Sequence, residues 1–176
     1  MSLEKGYVQV YTGNGKGKTT AALGQALRAA GSGLKTLIVQ FMKDFPYSET
    51  KSIPNLAQWI RLEQYGNDAF VLKKQPPDDV DLDAARQALR RAQQAILSGE
   101  YDIVIMDEVC VAIHFALLKI EQLLSLLEER PESVELILTG RYCPQALIQK
   151  ADLVSEMREI KHYYDKGVSA RKGIDS

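Results

Sequence analysis

Residues 13–20 read Gly13-Asn14-Gly15-Lys16-Gly17-Lys18-Thr19-Thr20. An apolar run typical of a β-strand, residues 7–11, precedes this stretch, and a segment of helical period, residues 18–30, follows it. A glycine-rich turn between a strand and a helix is the sequence context of the phosphate-binding loop of nucleotide-binding proteins, the P-loop. We therefore predict that residues 13–20 bind the phosphate groups of a nucleoside triphosphate.

The residue types of this loop suit anion binding. Glycines allow the tight turn that brings backbone amides close to phosphate oxygens, and the helix that follows presents unpaired N–H groups. We expect the ammonium group of Lys18 to contact phosphate oxygens and the hydroxyl of Thr19 to bind magnesium. The general motif has a glycine at the position of Thr12, so this is a shortened or shifted variant in which Gly13 and Gly15 supply the flexibility. The predicted nucleotide-binding residues of the loop are Gly13, Asn14, Gly15, Lys16, Gly17, Lys18, Thr19 and Thr20.

Two carboxylates follow a second apolar run. Residues 102–108 read Asp102-Ile103-Val104-Ile105-Met106-Asp107-Glu108, a buried strand that ends in two acids. In P-loop proteins a carboxylate on a neighbouring strand holds magnesium directly or through water. We therefore predict a magnesium site formed by Thr19, Asp107 and Glu108. The pattern does not decide which acid binds the metal directly.

Apolar runs alternate along the chain with segments of helical period, which predicts an α/β fold with a mostly parallel sheet flanked by helices. The further strands are expected at residues 36–42, 59–64, 134–139 and 152–157, and the further helices from residue 81 to Gly99, at 120–127 and at 144–149. We interpret residues 1–176 as one domain. The segments 43–58 and 66–80 are expected to be long loops, which are often functional, and are candidates for the site of a second substrate.

Composition limits the class of protein. The 176 residues carry a formal net charge of −1, so no overall basic field would attract nucleic acid or an anionic membrane. No apolar run approaches the about 20 residues that span a bilayer. Two cysteines and two histidines are too few for a disulfide framework or a histidine-built metal centre. We expect reduced thiols and a cytoplasmic protein without nucleic-acid or membrane partners.

Outside the loop and the two acids, few residues have a type and position that indicate a catalytic or binding role. Arg141 follows the predicted strand 134–139, and it either contacts a phosphate or pairs with a surface acid. His114 lies in an apolar stretch and is interpreted as a packed or partly exposed histidine. His162 is interpreted as a structural or surface residue rather than a catalyst.

Beyond the P-loop, the chain resembles the corrinoid adenosyltransferase family of the CobA/BtuR type. The matching blocks run in order along nearly the whole chain. They are Thr12-Gly13-Asn14-Gly15-Lys16-Gly17-Lys18-Thr19-Thr20-Ala21-Ala22, Val39-Gln40-Phe41-Met42-Lys43, Asp107-Glu108-Val109, Leu138-Thr139-Gly140-Arg141, Ala151-Asp152-Leu153-Val154-Ser155-Glu156-Met157, Lys161-His162 and Gly167-Val168-Ser169-Ala170-Arg171-Lys172-Gly173-Ile174-Asp175.

This resemblance implies a RecA-like P-loop fold and an enzyme that transfers the 5′-adenosyl group of ATP to the cobalt of a reduced corrinoid, releasing triphosphate. ATP and the corrinoid would be substrates and magnesium the cofactor. The catalytic residues would be Lys18 and Lys16, which stabilise the charge of the leaving triphosphate. The resemblance also implies a homodimer, with a flavoprotein as a candidate reductant.

The family resemblance further implies an apolar wedge that displaces the lower axial ligand of the corrinoid. In this chain Phe70, Val71 and Leu72 are the contiguous apolar residues of the corresponding segment, and we expect them to bind the corrinoid. Two other classes of function remain open on the residues alone. One is a P-loop ATPase or small-molecule kinase, which would yield ADP. The other is a nucleotide-dependent corrinoid-binding protein without transferase activity.

Overall fold

The computed structural model describes residues 3–67 and 76–175. Within them, a six-stranded sheet has the order β3-β2-β4-β5-β1-β6, and every neighbouring pair is parallel. The strands are β1 Val8–Thr12, β2 Thr36–Phe41, β3 Ile60–Tyr65, β4 Ile103–Asp107, β5 Glu135–Thr139 and β6 Leu153–Glu156. Because all strands run in one direction, their carboxyl ends lie along one edge of the sheet, where ligands bind in open α/β folds.

Six α-helices connect these strands within the described residues. They are α1 Lys18–Gly31, α2 Ser48–Ser52, α3 Asp79–Ser98, α4 Val109–His114, α5 Ile120–Glu129 and α6 Gln145–Lys150, and two short 3-10 helices span Ile53–Leu56 and Tyr163–Lys166. The predicted α/β class with helices flanking a parallel sheet is therefore confirmed, and the P-loop joins β1 to α1 as expected.

The sheet separates two apolar layers. Side chains alternate across a strand, so Ile105 and Ile137 face the layer that contains α1, whereas Val104 and Leu138 face the layer that contains α3. Alanines form the buried faces of both long helices: Ala22, Ala26 and Ala29 on α1, and Ala85, Ala88, Ala92 and Ala95 on α3. Their small side chains allow the helix backbones to approach the sheet closely.

Several boundaries differ from the predicted ones, each for a local physical reason. α3 begins at Asp79 rather than near residue 81, because Asp78 and Asp81 form a reciprocal capping box at its start. The segment 43–58 is not a continuous loop but contains α2, which buries none of its residues and so lacks apolar periodicity. The short helix α4 was not predicted. It begins directly after Glu108, whose left-handed backbone (φ 65°) is a turn that no sequence pattern signals.

No helix in the described ranges 3–67 and 76–175 is both long enough and apolar enough to cross a membrane.

Candidate functional site

A cavity of about 620 Å³ opens at the carboxyl edge of the sheet. The predicted loop residues from Asn14 to Thr20 line it, together with Glu108 and Arg141. Gly13 lies directly before this lining. The structure therefore brings the predicted phosphate loop, one of the two predicted acids and the predicted arginine to one site.

The P-loop is held by the segment that follows β6. The amide of Gly15 donates a hydrogen bond to the carbonyl oxygen of Met157 (2.6 Å), and the amide of Met157 donates to that of Thr12 (2.8 Å). Thr12 is still a strand residue, and the turn begins at Gly13, whose φ of 95° favours glycine. This explains why the loop tolerates threonine at position 12, where the general motif has a glycine.

Replacing Gly15 by alanine should destabilise the protein. A Cβ at this position would lie 2.7 Å from the carbonyl oxygen of Met157 and 2.9 Å from the backbone of Arg158, so the loop or the chain after β6 must move. We expect a loss of about 1–3 kcal/mol in the free energy of unfolding, which corresponds to a fall in Tm of roughly 2–12 °C.

The matched control for this change is Gly24→Ala in the exposed face of α1. No atom lies within 4 Å of a Cβ built there, so alanine should raise stability by up to about 1 kcal/mol through its helix propensity. Thermal unfolding of both variants checks the comparison. A Gly15→Ala protein as stable as wild type would show that the loop does not need this close approach.

Lys18 is folded back under the loop. Its ammonium donates hydrogen bonds to the carbonyl oxygens of Gly13 (2.7 Å) and Gly15 (2.8 Å), and the residue is only 7% exposed. Burial lowers the pKa of Lys18, partly offset by the charges of Glu108 and Asp107. A buried cation that already borders the cavity is well placed to exchange carbonyl partners for phosphate oxygens.

Asp107 lies at the centre of a buried hydrogen-bond network. Its Oδ1 accepts from the hydroxyls of Thr19 (2.9 Å) and Thr139 (2.7 Å), and its Oδ2 accepts from Lys43 Nζ (2.7 Å) and Gln40 Nε2 (3.1 Å). Burial alone would raise the pKa of Asp107, but the Lys43 charge and the donated hydrogen bonds keep that pKa below its usual value. The carboxylate is therefore ionised and fixed in orientation.

Glu108 has a different environment from its neighbour. It lines the cavity, whereas Asp107 is 1% exposed behind it. The Glu108 amide donates to the hydroxyl of Thr139 (2.9 Å), which ties its left-handed backbone to the Asp107 network. Burial, and then the adjacent Asp107 charge, raise the pKa of the Glu108 carboxyl. A positive φ in a non-glycine residue costs about 1–2 kcal/mol, and such strain concentrates at functional sites.

The oxygen atoms of Thr19, Asp107 and Glu108 fit a hard cation. Within the part of the chain that the structure describes, no group of three or more His, Cys, Asp or Glu side chains could hold a metal by itself. Magnesium does not require such a cage, because it is usually bound by one or two carboxylates together with substrate phosphates and water. The donor set is therefore compatible with magnesium that arrives with a nucleotide.

Lys43 was not predicted as a site residue. It follows β2 at the carboxyl edge, its ammonium pairs with Asp107 at 2.7 Å, and it lines the cavity beside Tyr47 and Glu49. The segment 43–58 thus forms one wall of the cavity. A cation directly after a buried strand could have suggested this role, since the other site residues also follow strands.

The C-terminal segment was also missed. Tyr163, Val168, Ile174 and Asp175 line the same cavity as the P-loop. Lys16 contacts this segment: its Nζ donates to the carbonyl oxygen of Ile174 (2.8 Å) and lies 3.3 Å from Asp175 Oδ1. The sequence marked residues 167–175 only through the family resemblance and assigned them no chemistry.

The remaining predicted residues are Arg141, His114 and the three apolar residues 70–72. Arg141 is exposed, lines the cavity and forms no ion pair with any residue of the described ranges, so the surface-pair alternative has no support there. His114 is exposed and stacks on the ring of Tyr142, with centroids 4.1 Å apart, so it is a surface residue with one aromatic contact. The predicted corrinoid-binding residues Phe70, Val71 and Leu72 lie outside the described residues.

Comparison with known proteins gives consistent matches over nearly the whole chain. The family model described as ATP:corrinoid adenosyltransferase BtuR/CobO/CobP matches residues 4–176. The corrinoid adenosyltransferase of Escherichia coli (strain K12) is 38% identical over 173 residues, covering 98% of this chain and 86% of that protein. Corrinoid adenosyltransferase CobA of Salmonella typhimurium (strain LT2) is 36% identical with the same coverage. The corrinoid adenosyltransferase of Pseudomonas aeruginosa is 30% identical, covering 98% of this chain and 84% of its own length. The resemblance drawn from the sequence blocks is confirmed.

Proposed function

The chain belongs to the ATP:corrinoid adenosyltransferase family, and from this premise we propose that its P-loop cavity is where ATP gives its 5′-adenosyl group to a reduced corrinoid. The observation that carries the proposal is the convergence of a buried lysine, a phosphate loop and the Glu108 carboxylate on one cavity at the carboxyl edge of the sheet, with Asp107 buried behind and bonded to Thr19.

The P-loop end of the cavity holds the triphosphate. Loop amides and the helix N-terminus of α1 face anionic oxygens, and Lys18 exchanges its contacts with Gly13 and Gly15 for phosphate contacts. Arg141 at the cavity wall adds a second cation. Lys16, which belongs to the same loop, is also a predicted catalytic cation. In the structure its ammonium donates a hydrogen bond to the carbonyl oxygen of Ile174 in the C-terminal segment.

The two acids have different roles at the proposed magnesium site. Glu108 and Thr19 both line the cavity, so the Glu108 carboxylate would be the direct carboxylate ligand and the Thr19 hydroxyl a second ligand. Asp107, buried behind them, orients Thr19 and fixes Lys43. The metal would neutralise charge on the triphosphate.

The reaction needs positioning and charge stabilisation more than it needs an activated protein nucleophile. Co(I) of the corrinoid supplies the electron pair for the new cobalt–carbon bond at the 5′ carbon. The bond between that carbon and the triphosphate oxygen breaks, and triphosphate leaves with the electron pair. Cations held in a partly enclosed site stabilise this developing charge, and a fixed triphosphate holds the 5′ carbon for attack.

The activity is tested by following the absorption spectrum of a chemically reduced corrinoid with protein and MgATP. Formation of a cobalt–carbon bond should appear only when protein, ATP and magnesium are all present. An unchanged spectrum with active, folded protein would contradict the proposal. The ATPase or kinase alternative is not favoured by the family match.

We propose further properties on the strength of the resemblance. The protein acts as a homodimer, receives electrons through a flavoprotein reductant, and works in the cytoplasm. The two cysteines, Cys110 and Cys143, are both free thiols, which is the state expected in a reducing compartment. The segments 43–58 and 66–80 are the proposed corrinoid-binding parts of the chain.

Phe70→Ala tests the corrinoid end of the site. We propose that Phe70, Val71 and Leu72 form the apolar wedge that displaces the lower axial ligand and makes the cobalt easier to reduce. Loss of the aromatic ring should lower adenosylation of a Co(II) corrinoid under mild reduction by about tenfold, the scale of one apolar side chain. Chemically prepared Co(I) no longer needs this displacement, so turnover with it should change much less.

Rates with both cobalt states, measured beside Leu27→Ala on the exposed face of α1, check this expectation. An equal loss with Co(II) and Co(I) would mean that Phe70 serves folding or general binding. No loss with either would place the wedge in another segment, with Trp59 and Phe45 the next candidates.

A further inference from the structure

The last described residues form a strap that lines the P-loop cavity. This C-terminal strap, residues 163–175, begins with the 3-10 helix Tyr163–Lys166, reverses at Gly167 (φ 79°), and ends in a turn in which the amide of Asp175 donates to the carbonyl oxygen of Arg171 (2.8 Å). The strap approaches the P-loop through Lys16, more than 150 residues earlier in the chain.

Asp175 fastens the strap. Its carboxylate lies 3.3 Å from Lys16 Nζ, accepts a hydrogen bond from the hydroxyl of Tyr163, and accepts from the backbone amide (3.0 Å) and Nε (3.3 Å) of Arg171. The guanidinium of Arg171 in turn lies over the ring of Tyr163, 4.5 Å from its centroid. The Asp175 side chain is only 12% exposed. One carboxylate thus ties the two ends of the strap to each other and to the phosphate loop.

The strap adds apolar surface to the cavity beside that of Leu23 on α1. Val168 and Ile174 line the cavity and are 38% and 58% exposed, so they carry aliphatic area that a ligand could cover. The wall on the α2 side consists instead of the polar or amphipathic residues Tyr47, Ser48, Glu49 and Ser52. A nucleotide whose phosphates lie on the P-loop must extend its nucleoside into the remaining space, and a flat, weakly polar base is stabilised by covering apolar side chains.

We propose that the strap is the nucleoside-binding wall of the site, with Ile174 and Val168 covering the base and Asp175 acting as the positioning residue that holds them over the P-loop. Lys16 is then mainly the anchor of the strap rather than a phosphate ligand. This inference rests on the proposed triphosphate site, and it adds that discrimination between ATP and bare triphosphate resides in residues 163–175.

The inference is tested by calorimetric binding of two ligands, MgATP and magnesium tripolyphosphate, to the full chain. Tripolyphosphate fills the phosphate end of the site and lacks the nucleoside. In Asp175→Asn and in Ile174→Ser we expect the Kd for ATP to rise about tenfold, as for loss of one apolar contact surface, while the Kd for tripolyphosphate stays within about twofold of wild type.

Asp165→Asn is the matched control, because Asp165 lies on the exposed side of the same strap and does not line the cavity. It should leave both affinities unchanged. An equal weakening of ATP and tripolyphosphate in Asp175→Asn would overturn the inference, since the strap would then serve the phosphate loop. Unchanged ATP binding in both strap variants would overturn it as well.

Lys18→Ala separates this inference from the proposed function. That variant should lose affinity for both ligands, because both carry the triphosphate. Normal tripolyphosphate binding in Lys18→Ala would contradict the phosphate site itself. Loss of both ligands there, together with an ATP-selective loss in the strap variants, is the result that supports the two proposals separately.

Discussion

Lys18→Ala is expected to weaken MgATP binding by about 10- to 150-fold, because a charge-assisted phosphate contact contributes about 1.5–3 kcal/mol. Lys18 is buried beneath the loop, and its ammonium is already desolvated and held by two carbonyl oxygens of the P-loop. Turnover should fall further than binding, since the charge on the triphosphate grows as it leaves. Calorimetry for affinity and single-turnover rates for chemistry measure the two effects.

Lys150→Ala is a suitable control, since Lys150 is an exposed lysine on α6 whose only described ion pair is a surface contact with Glu128. Exposed pairs of this kind contribute between about 0 and 1 kcal/mol, so affinity and rate should match wild type. If Lys18→Ala also bound MgATP and turned over normally, the loop from Asn14 to Thr20 would not be the triphosphate site.

The second large effect concerns the two acids, which should respond differently to removal of their charge. Glu108→Gln should raise the magnesium concentration needed for half-maximal activity by about tenfold or more, because an amide is a poorer ligand for a hard cation. Its stability should change little, since the Glu108 carboxylate accepts no hydrogen bond from the described residues.

Asp107→Asn should instead lower stability. The change leaves the largely buried ammonium of Lys43 without the negative charge that pairs with it at 2.7 Å. Breaking a buried pair in this way costs about 3 kcal/mol, which corresponds to a fall in Tm of roughly 6–12 °C.

Magnesium titrations of activity and thermal unfolding of both variants, beside Glu128→Gln on the surface of α5, check this division of roles. A magnesium requirement equal to wild type in both variants would show that the two acids are structural. A large loss of stability in Glu108→Gln but not in Asp107→Asn would reverse the assignment.

The strands and the P-loop could be predicted from the sequence because their signals are local. β2 and β4 are apolar runs between turn residues, and both faces of a parallel sheet are buried, so their patterns are continuous. The loop residues and the acids follow strands directly, and parallel strands bring their ends to one edge. The fold class, and the placement of most residues of the proposed phosphate end on one cavity, could therefore be predicted from pattern and spacing.

The rest of the site depends on contacts between residues far apart in the chain. Nothing near Asp175 indicates that it meets Lys16, and nothing near Met157 indicates that it leaves no room for a side chain at Gly15. The contact between Lys43 and Asp107 could be predicted only with the knowledge that β2 lies next to β4 in the sheet. Such partners are set by the topology of the sheet and not by local periodicity.

The phosphate product tests the central claim most directly. A reaction of wild-type protein, MgATP and a chemically reduced corrinoid, analysed by phosphorus NMR, should release one intact triphosphate for each cobalt–carbon bond formed, because the 5′ carbon is attacked and no phosphoanhydride bond is broken. ADP or free phosphate appearing in step with turnover, in place of triphosphate, would contradict the account and assign the P-loop cavity to phosphoryl transfer.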